Sequence, residues 1–296
     1  MSFGVTSRSM RGICAAVALL AIGASGCSVA ESAKEGIKKA ARQKSVFDLK
    51  QGDCYNPNSK PVPDGEMAEE FAIEVVPCTE AHDGQVYGEF KVEEGDGTYP
   101  GDDAIVEAAD TRCPAEELKF APDTWAVPTG VSGSYYQPTK ESWSTGDRLV
   151  TCTYTKDSGK ITGSLKSKPM NADQLAYLKG SSALYEALWA NQPEAEAVED
   201  DLDGYKAQAT AVNAALDTHV AALQGIDQPE TVKLRAQLTK ANEAWKKAAN
   251  AADVDTFYIA YDAAFTGIDP SKSVAARKEL GLSTAVPADE AEVWAG

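Results

Sequence analysis

Six cysteines stand at positions 14, 27, 54, 78, 113 and 152, and none follows in the 296-residue chain. This lopsided placement constrains the fold more than any other feature. It sets apart a region that can be cross-linked from one that must fold on side-chain packing alone. What the thiols do depends on the compartment, and the N-terminus speaks to that. Arg8 and Arg11 precede the apolar tract Gly12–Gly23, which is too short for the roughly 20 residues a membrane span needs. The tract ends in Ala24-Ser25-Gly26-Cys27. Residues 1–26 therefore read as a signal peptide.

A plain secretory signal would end in an Ala-x-Ala-like pattern. The sequence Ala-Ser-Gly-Cys instead resembles a bacterial lipobox. That resemblance implies cleavage before Cys27, which becomes the first residue and whose thiol takes a thioether-linked diacylglycerol with palmitate-type chains. Membrane lipid is then the first expected partner, and a cell membrane anchor on the extracytoplasmic face the expected localisation. More than one acyl chain suffices for stable anchoring, at about 0.8 kcal/mol per buried methylene. The rest of the chain contains no run of 18 apolar residues.

Cys14 leaves with the signal and Cys27 is acylated, so four cysteines remain, an even number in an exported region. They are expected to form two disulfides. Three pairings are possible, and the sequential one, Cys54–Cys78 with Cys113–Cys152, is expected. On the loop-entropy account each contributes about 3–4 kcal/mol. A zinc site is the alternative, but there is no C-x-x-C and the only histidines are His82 and His219. No metal and no cofactor are expected.

Charge narrows the partners. The net charge of −17 becomes −19 once Arg8 and Arg11 are lost. Residues 28–46 carry a local +3, against −22 for residues 47–296. A basic collar beside an anchor can rest on anionic headgroups while the acidic body is held off. The tether is expected to span 27–45. Nucleic acid is not expected as a partner, because phosphate binding needs clustered Lys and Arg.

Residues 46–170 read as an α+β region. Phe71–Pro77 is β-type, Gly84–Val92 and Arg148–Lys156 alternate, and Lys160–Leu165 is expected to return as a hairpin through Asp157-Ser158-Gly159. Asp102–Leu118 has helical spacing, with Pro114 expected to kink or end it. Cys113 would tie this helix to the strand carrying Cys152.

From Asn171 the pattern changes. Val198, Leu202, Tyr205, Ala209, Val212, Leu216, His219 and Leu223 alternate spacings of four and three, and so do Leu234, Leu238, Ala241, Trp245, Ala248 and Ala252. These are helix seams. Pro229 fits a first helical position, Asp253 an N-cap, and Val254, Phe257, Tyr261 and Phe265 a third stripe. Short connections imply an antiparallel, all-α bundle over 171–283, with 173–190 packing on one of the two regions. The tail 284–296 is expected to be loose.

Several residues then form a familiar set. They are Gly52-Asp53-Cys54, Val76-Pro77-Cys78, Ala81-His82, Val86-Tyr87, Pro138-Thr139, Trp143, Gly146-Asp147-Arg148, Val150 and Cys152. Residues 46–165 resemble the septum-formation-type domain of actinobacterial envelope proteins. Ala81 departs from that pattern, which has Pro before the His. The resemblance implies a link to the envelope and to division, and it implies no reaction.

The candidate site residues follow. His82 and Asp83 could work with Asp53 or Asp147 as an acid/base or metal pair, or His82 could bond backbone beside the Cys54–Cys78 bridge. Trp125, Tyr135, Tyr136 and Trp143 lie in a loop-rich stretch, 124–143, and could form a glycan or peptide platform, or pack on the disulfides and the sheet. Arg148 could pair with a carboxylate or hold a ligand. Glu94, Asp96, Asp102 and Asp103 match no calcium loop. No activated nucleophile motif appears. The expected function is that of a non-catalytic envelope lipoprotein binding a protein or cell-wall component. The alternatives are a solute or glycan binder, and a hydrolase or metal enzyme at His82.

Overall fold

The computed structural model describes residues 41–58, 72–92, 97–288 and 294. The expected signal peptide, the acylation candidate Cys27, most of the expected tether, Glu94 and Asp96 lie outside the described residues. Arg42–Gly296 form one compact unit, in which two lobes can be distinguished.

The first lobe is built on one antiparallel sheet. Its strands are β1 (Gln43–Ser45), β2 (Cys54–Pro57), β3 (Ala72–Val76), β4 (Gly84–Lys91), β5 (Val131–Tyr136) and β6 (Leu149–Lys156), in the order β1-β3-β2-β4-β6-β5. Helix α1 (Asp102–Phe120) packs across β4 and β6, and a short helix α2 (Lys140–Ser144) precedes β6. Cys113–Cys152 joins α1 to β6, and Cys54–Cys78 joins β2 to the turn after β3. Both bridges follow the expected sequential pairing.

Four local expectations are corrected. The first is Pro114, expected to kink or end the helix, which lies inside α1 and does not end it. Its missing N–H costs about 3 kcal/mol in a helix interior. Ile105, Ala109 and Cys113 before it and Phe120 after it are all buried in one apolar cluster, and Cys113 is covalently fixed, so the helix is held on both sides of the proline. The second is the end of the segment 27–45, expected to be tether throughout, because Gln43–Ser45 pair with β3. Arg42 secures this edge through two 2.7 Å hydrogen bonds to the Glu80 carboxylate.

The third correction concerns Lys160–Leu165, which does not return as a hairpin strand. Ile161 makes one isolated bridge to His82, and the Gly163 N–H donates to the Cys78 carbonyl. The segment is a strap over the Cys54–Cys78 bridge. The fourth concerns the stretch 124–143, read as loop-rich, which contains strand β5. Its Ser and Gly weaken the β signal, and full pairing with β6 supplies what propensity lacks.

Gly88 is required by packing. The register shifts between Val86 and Gly88, and a Cβ at Gly88 would lie 2.4 Å from the Glu116 Cβ. The close approach of α1 to the sheet depends on that missing carbon.

The second lobe is helical: α3 (Ala172–Ala190), α4 (Leu202–Leu223), α5 (Pro229–Ala249), α6 (Val254–Gly267) and α7 (Val274–Glu279). Pro229 opens α5 and Asp253 caps α6 through the Thr256 N–H, as expected. Consecutive helices from α3 to α6 pack on one another, and α7 packs back on α5. The bonds between α4 and α5 show the antiparallel run. Asn213 and Asp217 meet Asn242, while the later Leu223 carbonyl accepts from the earlier Arg235.

Helix α3 belongs to this lobe, since Tyr177, Leu178, Leu184 and Leu188 join its core. The α5 seam buries Leu234, Leu238, Ala241, Trp245 and Ala248, but Ala252 is exposed and Ala251 is buried in its place. The helix has ended at Ala249, so its period no longer applies. The tail is also not wholly loose. The Trp294 indole stacks on Phe265 at 4.7 Å and donates to its carbonyl. Its apolar ring area holds it there.

Candidate functional site

The residues singled out from sequence fall in separate places. His82 is fully buried. Its backbone N–H and C=O bond Ile161, and its Nδ1 lies 2.8 Å from the Glu80 carbonyl. Nε2 has no partner among the described residues. The ring thus bonds backbone beside the Cys54–Cys78 bridge. The neighbouring carboxylates are engaged elsewhere. Asp83 accepts from Lys160 at 2.5 Å, and Asp53 pairs with Lys44 at 3.5 Å and accepts from the Lys50 N–H.

A second corner brings Trp143, Asp147 and Arg148 together. Arg148 lies 3.8 Å over the Trp143 ring and donates to the carbonyls of Trp143 and Asp147. Asp147 accepts from the Ser142 hydroxyl and the Leu149 N–H. Trp143 is buried and donates its indole N–H to the Gly97 carbonyl. Tyr135 and Tyr136 are half-buried on β5, and their alternation sends them to different clusters, Tyr135 with Trp143 and Tyr136 with Tyr55. Trp125 lies apart from all three. Among the described residues, no group of three or more His, Cys, Asp or Glu could hold a metal ion.

The junction of the lobes holds what sequence reading missed. Asp123 follows α1 and pairs with Arg277 of α7, with both side chains almost completely buried. Arg277 Nε donates to the Ser283 carbonyl at 2.6 Å, and the Ser283 N–H returns 2.8 Å to Asp123. The Ser283 hydroxyl donates to the Trp125 carbonyl. The guanidinium lies 3.9 Å over Trp125. This clasp spans 154 residues of sequence. No local periodicity or spacing could announce it.

Beside the clasp lies a cleft of about 240 Å³. Glu117, Leu118 and Trp125 line it from the first lobe, and Leu178, Ser181 and Ser182 line it from α3. Burial pushes the Glu117 carboxyl above its ordinary range, offset in part by the neighbouring Tyr154 hydroxyl. Burial also raises Tyr87 and Tyr154, with the Glu117 charge adding to both. Nothing in the sequence sets Glu117 apart from the other carboxylates of α1.

Fold and site together describe a disulfide-bonded α+β lobe clasped to a helical bundle. Residues 23–152 match the family model described as septum formation. The match begins ahead of Cys27, covers the α+β lobe through Cys152, and includes none of the bundle. No curated protein and no solved structure matches the chain. Among the described residues no helix is long and apolar enough to cross a membrane.

Proposed function

We propose that the protein is an extracytoplasmic lipoprotein, anchored through acylated Cys27, that serves septum formation by binding an envelope protein or cell-wall component and catalyses nothing itself. The observation that carries this reading is the septum-formation match on a lobe that holds two disulfides. Such bridges persist in oxidising compartments, and the lipobox-like Ala24–Cys27 tract supplies the route there. The basic stretch 28–46 against the acidic remainder suits a body held away from anionic lipid. The burial of His82 and the engagement of Asp53 and Asp83 favour a structural role for that corner.

Crosslinking in intact membranes followed by capture tests the reading. A septal or wall component recovered with the native chain, and lost when Cys27→Ala releases it, supports it. Recovery that is unaffected by Cys27→Ala overturns the anchor. A folded His82→Ala variant that loses a measurable activity overturns the non-catalytic role and favours a hydrolase or metal centre. A second reading, a solute- or glycan-binding lipoprotein, is favoured by the cleft beside Arg277.

A further inference from the structure

We propose that the cleft between α1 and α3 is a binding site for a small organic monocation, a primary ammonium carried on an apolar stem about one ring in size. The inference goes beyond the septum reading and holds or fails without it.

Size comes first. A cavity of about 150 Å³ admits benzene. This cleft, at about 240 Å³, has room for one ring and a short chain. Its walls suit such a body, because Pro114, Leu118, Trp125 and Leu178 supply apolar surface on several sides. Leu118 is partly exposed and marks the open rim.

Charge comes second. Arg277 lines the cleft, but Asp123 neutralises it, and its donors are directed at Asp123 and Ser283. The Tyr185 hydroxyl is engaged with the Ile268 carbonyl at 3.0 Å. Glu117 is left as the charge of the lining with no cation opposite it, eased only in part by the Tyr154 hydroxyl. Partial burial raises its carboxyl, and a bound cation would relieve that cost. The acidic chain, at −17, also draws cations toward its surface.

Hydrogen bonding comes third. The hydroxyls of Thr124, Ser181 and Ser182 line the cleft and bond no described residue. Each can accept from an ammonium N–H. One carboxylate and three hydroxyls around an apolar chamber match an ammonium with several N–H donors. They do not match an anion, which would meet Glu117 without a free cation to offset it.

The test uses the full chain extracted in non-ionic detergent, with calorimetric titration of three probes that share a phenyl ring on a two-carbon stem and differ in charge. These are phenethylamine, the neutral 2-phenylethanol and the anion 3-phenylpropanoate. Phenethylamine is expected to bind one to one, at least tenfold more tightly than the alcohol, with no heat from the anion. Glu117→Gln is expected to lose at least tenfold for the amine and nothing for the alcohol. That variant removes a raised carboxyl, so its melting temperature is not expected to fall, which separates lost binding from lost fold. Equal affinity for the three probes, no binding of the amine, or an amine affinity indifferent to Glu117→Gln would each overturn the proposal.

Discussion

In the bundle, buried side chains from Tyr177 to Leu282 form one continuous cluster, and no disulfide reinforces it among the described residues. In the α+β lobe the buried side chains fall into two smaller clusters. Each has a disulfide at its side: Cys113–Cys152 lies within the first, and Cys54–Cys78 sits next to Tyr55 of the second. A small sheet whose core is divided buries less apolar surface per residue ordered, and covalent closure of the unfolded chain offsets the deficit. Long helices with seams that repeat over several turns need no such help. The clasp of Asp123 and Arg277 then couples the two kinds of stability.

The contrast is sharpest under reduction. Opening both bridges should remove about 3–4 kcal/mol each on the loop-entropy account. Near-ultraviolet circular dichroism should report loss of the sheet lobe's aromatic packing while most helical signal remains. Equal loss from both lobes would break the comparison.

Next in size is the clasp. Arg277→Ala leaves Asp123 buried without its partner and should cost about 3–5 kcal/mol in denaturant unfolding. The double change Asp123→Leu with Arg277→Leu should recover much of that loss, since a buried pair adds little over apolar packing. If Arg277→Ala costs under 1 kcal/mol, the lobes are not coupled there.

Acid should act on the bundle through His219. Its imidazole is buried against Tyr177, Gly180 and a small cavity that also touches Asp269 and Lys272. Burial holds its pKa near about 4, below the ordinary 6.5. The unfolded chain therefore takes up the proton first. The bundle keeps this contribution in full above about pH 6.5 and loses it as pH falls toward 4, by up to about 3 kcal/mol. Urea titrations at pH 7 and 4.5 on the native chain and on His219→Leu should differ in slope with pH. Parallel behaviour would refute the burial argument.

The smallest effect concerns Gly180. A Cβ there would lie 1.9 Å from His219 Nδ1, so Gly180→Ala should cost about 1–3 kcal/mol through overpacking, despite its better helix propensity. A stabilised variant would mean that the α3–α4 contact is looser than described.

Much of this contrast was legible in the residues. The even count of cysteines after position 27 pointed to the bridges, and the four-three spacing from Val198 to Leu223 pointed to the bundle seam. Asp253 and Pro229 marked helix starts through local chemistry that depends on nothing distant. What escaped notice depended on distant partners. Gln43–Ser45 is a strand only because β3 lies beside it, and Val131–Tyr136 only because β6 does. Pro114 is tolerated because a disulfide holds the helix around it. His219 falls on the α4 seam by its spacing, but the room its ring occupies comes from Gly180 on another helix, which the spacing does not announce. The clasp and the cleft join residues separated by about half of the chain's length.

Export and anchoring carry the functional reading, and mass spectrometry of the mature protein, isolated from its own cells' membranes without reductant, addresses both at once. The account predicts a first residue Cys27 bearing thioether-linked diacylglycerol, with Cys54 joined to Cys78 and Cys113 to Cys152. An unprocessed chain in the cytosol with all six thiols free would contradict it.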